Sequence, residues 1–375
     1  MATRNIVLVL GNGFDLDLGL KSSYRDFVQS DYFPINYPAP LLFYLKQALR
    51  ENLKDVRWFD LENELLNYYN QRQLTTDYPD VIDGTELKFL SNKTESQIHH
   101  GPLREEDDSV FNSLLNKGII YKAPFGYYVH NYEDLLKHYL LRDRKALDLI
   151  KTSICKYLLE NYQPEPSRDC LSFHVFNALV NSRNSEETIN VYSFNYTDIP
   201  WGFLPENKSI IHYVHGNCTE GKIILGTRDE NLNKDYCFLQ KAFDKHFAPP
   251  PIVDDLAAAD EVIIFGHSLG INDRQYFKPF FTAQSSFGAS ERKKITIITK
   301  DDSSVVEIKR SLQQLTDNQL SVLMSRNDVT FIKTEMEQED QQELKKFFTS
   351  HRIRGTRPEE IIGKIVEHKK VLKDS

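Results

Sequence analysis

Seven short runs are largely apolar and rich in β-branched residues, and most are stopped by Gly, Asn or a charged residue: Ile6–Leu10, Ile189–Phe194, Ile210–Val214, Ile223–Leu225, Glu261–Phe265, Ile295–Thr299 and Val329–Ile332. A run that is apolar on both alternating faces reads as a strand covered on both sides, which is the situation of a parallel sheet between helices. The spacing leaves room for crossover segments between most of these runs. The expected fold is therefore α/β, a Rossmann-like, doubly wound parallel sheet. With 375 residues, 40% of them hydrophobic, the chain can fill a sizeable core.

About 175 residues separate the first run from the second, far more than a crossover needs, so a large, mainly helical insertion is expected there. Its helices are predicted at Leu41–Asn52, Trp58–Tyr69, Tyr132–Tyr162 and Ser172–Asn181. Within it, residues 71–116 are polar, punctuated by Gly and Asp and only weakly periodic, which reads as a long loop or lid with little regular structure. Charged segments with helical spacing follow the last strand, at Glu337–Thr349 and Pro358–Val371. The organisation expected is a nucleotide-binding core from 1–30 and 185–335, an insertion over 31–184 and a C-terminal helical segment over 336–375.

A net charge of −8 argues against broad adhesion to nucleic acid or to anionic membranes. Cys155, Cys170, Cys218 and Cys237 form no C-x-x-C pair, so neither a disulfide framework nor a zinc ribbon is signalled, and a reducing, cytoplasmic setting is expected. The apolar start at Ile6–Leu10 is cut off by Gly11-Asn12-Gly13 before a leader's apolar region would end, and no other stretch reaches membrane-spanning length.

Small and polar residues follow the strand runs: Gly11-Asn12-Gly13 after Leu10, Asn195 after Phe194, His215-Gly216 after Val214, Gly226-Thr227 after Leu225 and Gly266-His267-Ser268 after Phe265. In an open parallel sheet the carboxyl edge is where ligands bind, so these motifs are expected to meet there. The glycine turn departs from the dinucleotide fingerprint, because Leu16 stands at its third glycine position, and hydride transfer is poorly supported. What remains is a turn whose backbone N–H groups would face a pyrophosphate, with Asp15 capping the helix or binding a ribose hydroxyl. His215 suits a general base near neutral pH, and Asn195 suits orienting a water or a ribose. Each has a plain structural reading as well: a glycine turn for packing, a strand-end histidine, a turn asparagine.

Gly266-His267-Ser268-Leu269-Gly270 also fits the nucleophile pattern G-x-S-x-G, which would need a later acid and histidine, His351 or His368. Alternatively Gly266 and Ser268 approach a phosphate or ribose, and Asn272 or Asp273 caps the next helix. Trp58, Asp60 and Glu62 open a predicted helix, and Glu62 is a further candidate for a group bent over a cleft.

The ordered set Leu8 to Leu16, Gly19-Leu20, Ser23-Tyr24, Trp58 to Glu62, Phe194 to Thr197, His215-Gly216, and Gly266 to Leu269 with Asp273 and Tyr276-Phe277 resembles the phage abortive-infection AbiH family. The same order is distantly similar to the sirtuin fold and to sirtuin-like NAD-consuming defence proteins. That similarity implies NAD+ or a related nucleotide as ligand, held by Gly11, Asn12, Gly13, Phe14, Asp15, Tyr24, Gly266, His267, Ser268 and Asp273. It implies Asn195 on the nicotinamide ribose or the attacking water, His215 as the base, and no metal. Asn12, Asp15, Lys21 and Thr197 stand where sirtuins carry Ala, Ser, Pro and Asp, and the paired zinc cysteines are missing, so deacylation is not implied. A phage-derived trigger and a homo-oligomer, holding the enzyme silent until infection, complete the expectation. A nucleotide sensor without turnover is the alternative from the binding class.

Overall fold

The computed structural model describes residues 4–52, 59–74, 79–82, 85–92, 95–99, 120–123, 126–129, 132–161, 167–181, 187–199, 210–286, 288, 291–351 and 356–374. The chain forms two compact units, one from residues 1–23, 158–223 and 246–375, the other from residues 24–157 and 224–245. Residues 224–245, expected within the core stretch 185–335, group with the second unit, and residues 336–375 group with the first.

The first unit is built on a six-stranded sheet of β1 (Arg4–Leu10), β2 (Glu187–Ser193), β3 (Ile210–Tyr213), β4 (Glu261–Phe265), β5 (Lys294–Thr299) and β6 (Asp328–Lys333). The spatial order is β3-β2-β1-β4-β5-β6 and each neighbouring pair is parallel. This is the Rossmann-like α/β fold expected, with its reversal of strand order at β1 and β4.

Alternation along the strands explains why the runs are apolar throughout. Ile6, Leu8 and Leu10 join Val191, Ile263, Phe265, Ile298 and Ile332 in one core, which Leu171, Val175, Phe176, Leu344, Phe347, Phe348, Ile361 and Ile365 complete from helices Leu171–Phe176, Gln338–Ser350 and Pro358–Asp374. Val7 and Val9 join Tyr192, Val262, Ile264, Ile295 and Ile297 in another, closed by Leu256, Phe277, Phe280, Phe281, Leu312 and Leu323 from helices Ile252–Ala258, Arg274–Gln284, Asp302–Leu315 and Leu320–Arg326. Each fully buried side chain of this size contributes roughly 1.5–3 kcal/mol, so both faces of the sheet are driven closed.

One expected strand is corrected. Ile223–Leu225 does not enter the parallel sheet: Lys222–Ile223 instead pairs antiparallel with Gly216–Asn217 in a two-stranded ribbon. A three-residue apolar run does not carry enough pattern to choose between these partners.

The second unit contains helices Tyr24–Val28, Pro40–Asn52 and Leu61–Leu74 and most of Tyr132–Glu160. Buried Asp143 ties it together, accepting from the Leu41 backbone N–H at 2.9 Å and from the Tyr68 hydroxyl. The segment 71–116, expected to hold little regular structure, carries strands Pro79–Ile82, Thr85–Asn92 and Glu95–His99, which form a five-stranded antiparallel sheet with Gly126–Val129 and Ile120–Ala123. Trp58 lies outside the described residues.

Candidate functional site at the carboxyl edge of the sheet

The register aligns the strand ends. Leu10 is level with Ser193 and Phe265, Ser193 with Tyr213, and Phe265 with Ile298. Gly11, Phe194, Val214 and Gly266 each extend the ladder by one backbone bond of 2.8–2.9 Å, and the chain then leaves the sheet. The motifs after β1, β2, β3 and β4 therefore share one edge, as the sequence implied. Gly226-Thr227 does not: it lies in the second unit, where the Thr227 N–H donates to the Leu239 carbonyl at 2.6 Å and Thr227 is fully buried.

At the reversal point the loops after β1 and β4 touch backbone to backbone. A Cβ on Gly13 would lie 2.6 Å from the Gly266 Cα, and one on Gly11 2.5 Å from the His267 Cα. Gly266 adopts φ +66°, a conformation that glycine takes without penalty. The Gly11 N–H donates to the Phe265 carbonyl, the Gly13 N–H to the Gly266 carbonyl and the Phe14 N–H to the Gly11 carbonyl, each at 2.9 Å. Of the turn's N–H groups, those of Gly11 and Gly13 are thus paired within the protein, and the helix that follows, Asn12–Asp17, is only six residues long.

Beyond β2 the segment Phe194-Asn195-Tyr196-Thr197 sends alternate side chains into two clusters. Asn195 and Thr197 go to Asp15. The Asn195 Nδ2 donates to Asp15 Oδ1 at 2.8 Å and to the Gly11 carbonyl at 3.0 Å, while the Thr197 hydroxyl donates to Asp15 Oδ2 at 2.5 Å. Ser22 also bonds Asp15, and its hydroxyl donates to Asn12 Oδ1 at 2.6 Å. Asp15 is 3% exposed, and burial pushes its carboxyl up to about 7, against the opposing pull of Thr197, Asn195 and Ser22. Its carboxylate is engaged inside the protein, where the sequence reading had it capping a helix or holding a ribose.

Phe194 and Tyr196 serve the other cluster, around His215. The His215 Nε2 lies 3.1 Å from Asp273 Oδ1, and the His267 Nε2 lies 3.3 Å from Asp273 Oδ2. Both imidazoles are about 5% exposed. The Phe194 ring packs against both, with centroids 5.3 Å from His215 and 4.4 Å from His267, and the Tyr196 ring is 6.4 Å from His215. Phe277 stacks on Phe194 at 5.5 Å and holds it in place. Asp273 is the residue before helix Arg274–Gln284 but makes no side-chain cap there, because its carboxylate is turned to the two histidines. His215 and Asn195 therefore belong to two different clusters, each with its own carboxyl partner.

Ser268 is exposed, and the left-handed residues of its turn are Gly266 and Leu269, with φ +66° and +53°. The serine is not the strained residue a nucleophile elbow needs. His351 is buried and lies 3.0 Å from Glu261, the first residue of β4, at the opposite end of that strand. His368 faces Ser167 at 3.4 Å. Neither completes a triad with Ser268. Tyr24 opens helix Tyr24–Val28 in the second unit. Phe194 and Thr197 were legible only as members of a familiar string. Nothing in their spacing says that one carries two imidazoles and the other seals Asp15.

Within the second unit, Glu62 meets buried Lys241 at 2.9 Å, which joins helix Leu61–Leu74 to the segment 224–245. Lys241 had no signal in the sequence. Among the described residues no group of three His, Cys, Asp or Glu side chains is arranged to hold a metal ion, and no helix is long and apolar enough to cross a membrane.

No curated protein and no solved structure matches the chain. The family model for bacteriophage abortive infection AbiH matches residues 7–287, a span that includes every residue of both carboxyl-edge clusters. The chain belongs to this AbiH family of phage abortive-infection proteins.

Proposed function

We propose that this abortive-infection protein acts by cleaving NAD+ at the nicotinamide–ribose bond, with His215 as the base that activates water. The observation that carries the reading is the buried His215–Asp273 contact of 3.1 Å, at the carboxyl edge beside the reversal of strand order. The resemblance to sirtuin-like defence proteins supplies the choice of NAD+ among nucleotides.

Nicotinamide leaves as a neutral molecule from a cationic ring, so the bond breaks through an oxocarbenium-like state that needs orientation more than force. Water attacks the anomeric carbon, the C–N electron pair returns to the pyridine ring, and the proton lost by water passes to His215. The products are ADP-ribose, nicotinamide and a proton. Asp273 stabilises the imidazolium formed in that step. Asn195, whose amide N–H groups are committed to Asp15 and Gly11, supports the loop.

The test is mass spectrometry of NAD+, ADP-ribose and nicotinamide in cells before and during phage challenge, with wild type and His215→Ala expressed equally. Loss of a general base is worth about 10²–10⁴-fold in rate. The expected result is that NAD+ collapses with product formation only in wild type. Protection with level NAD+ in wild-type cells would overturn the reading and favour the nucleotide sensor. Serine-hydrolase chemistry predicts labelling of Ser268 by a fluorophosphonate, and none is expected.

A further inference from the structure

Asp273 contacts two imidazoles at once, and the local hydrogen bonds decide how the protons are shared. The Leu269 backbone N–H donates to His267 Nδ1 at 3.0 Å. A nitrogen that accepts a bond carries no proton, so His267 is the neutral tautomer with its proton on Nε2, the atom 3.3 Å from Asp273 Oδ2. That assignment does not depend on any ligand. The other oxygen, Oδ1, is left for His215 Nε2 at 3.1 Å. A carboxylate offers only acceptors, so His215 also presents an N–H there, which puts its lone pair on Nδ1.

We propose that Asp273 is the positioning residue of the site: steadied by neutral His267, it fixes His215 in the Nε2–H tautomer and makes Nδ1 the atom that takes the proton. Its role in turnover rests on the NAD+ cleavage reading, whereas the tautomer assignment does not. Leu269 is essential to the device. Its N–H reaches back across the exposed Ser268 to the His267 ring and so orients the second histidine. The Phe194 ring packs against both imidazoles beside the bridge.

Asparagine at 273 separates positioning from packing. It is isosteric but offers one acceptor and one donor. His267 can present only an N–H, because Leu269 holds its other nitrogen, so it keeps the acceptor. The donor then faces His215 Nε2, which must accept. His215 is therefore expected to switch to the Nδ1–H tautomer in Asp273→Asn, while His267 stays as it was.

The experiment is 15N NMR of the full chain labelled at histidine, with His215→Gln and His267→Gln for assignment, on wild type and Asp273→Asn. The expected result is exchange of protonated and unprotonated nitrogen signals for His215 alone. An unchanged His215 tautomer in a folded Asp273→Asn protein would overturn the proposal, as would a wild-type His215 already protonated on Nδ1. In parallel, NAD+ turnover is measured on the same proteins. A fall of 10²-fold or more in kcat with KM little changed, in a variant that melts like wild type, supports positioning; full kcat would overturn it. A tautomer switch in a wild-type protein that never cleaves NAD+ would leave the assignment standing and remove the NAD+ reading instead.

Discussion

A carboxyl group sealed from water and held by neutral donors gains less from ionising than it loses in hydration. Asp15 therefore sits at about 7, where an exposed aspartate sits at 3.8. The folded protein keeps a proton there that the unfolded chain gives up from about pH 4 onward, so stability falls as pH rises through that window and levels off above about 7. The effect amounts to at most about 4 kcal/mol. Asp15→Asn needs no proton, can accept from Asn195 and can donate to the Thr197 hydroxyl. It is expected to be the more stable protein at pH 8 and to show a flatter pH dependence, read by urea denaturation at pH 5 and pH 8. Equal slopes for the two proteins would mean that Asp15 ionises normally. The identity of Asp15 was visible in the sequence, but its protonation was not, because it is the balance of tertiary burial, which raises the carboxyl, against the hydrogen bonds of Asn195 and Thr197, some 180 residues away, which lower it.

At the scale of elements, the glycines after β1 and β4 act as a pair. Each lacks a side chain because the other loop's backbone occupies the space, so what the pair provides is close approach of the two loops. Gly266→Ala combines a Cβ 2.4 Å from the Gly13 Cα with a left-handed φ of +66°. Gly19→Ala has a comparable φ of +85° but nothing within 4 Å. The Gly19 variant is expected to lose about 1–2 kcal/mol from backbone conformation alone. The Gly266 variant should lose about 1–3 kcal/mol more from overpacking. Thermal unfolding of the two side by side checks the ranking, and equal losses would show that the loops part easily. The runs flanking these glycines were readable as strands because both faces of the sheet are covered. Ile223–Leu225 was misassigned to that sheet because the turn after Gly216-Asn217 brings Ile223 back against Gly216 in a local ribbon.

At the scale of the whole molecule, each unit is closed by charges far apart in sequence. In the first, Lys369 reaches Asp17 at 2.6 Å, and Glu261 gathers Arg4, Lys294 and His351. Burial alone would raise the Glu261 carboxyl, but His351, Lys294 and Arg4 together outweigh it and hold it below the ordinary range, so its contribution to stability is lost only on acidification. In the second, Lys241→Ala removes the ammonium 2.9 Å from a buried Glu62 carboxylate and is expected to cost about 3–5 kcal/mol, whereas replacing both, as Glu62→Leu with Lys241→Met, should recover most of it. Denaturation of the single and double variants measures the difference, and additive losses would show that the two charges do not depend on each other. The AbiH match ends at residue 287, yet β5 and β6, after it, complete the same sheet.

The sequence by itself determined the sheet's strands, their burial on both faces and the arrival of Gly11, Asn195, His215 and Gly266 at one edge. Those outcomes follow from local periodicity and from parallel pairing, which puts all carboxyl ends on the same side. Tertiary structure decided the rest. Whether His215 pairs with Asn195 or with Asp273 depends on which way alternate residues of 194–197 turn once β2 ends. That is set by packing of Phe194 on Phe277 and by the hold of Asp15 on Asn195 and Thr197. No spacing within a single segment encodes those contacts, because each joins stretches separated by about eighty residues or more.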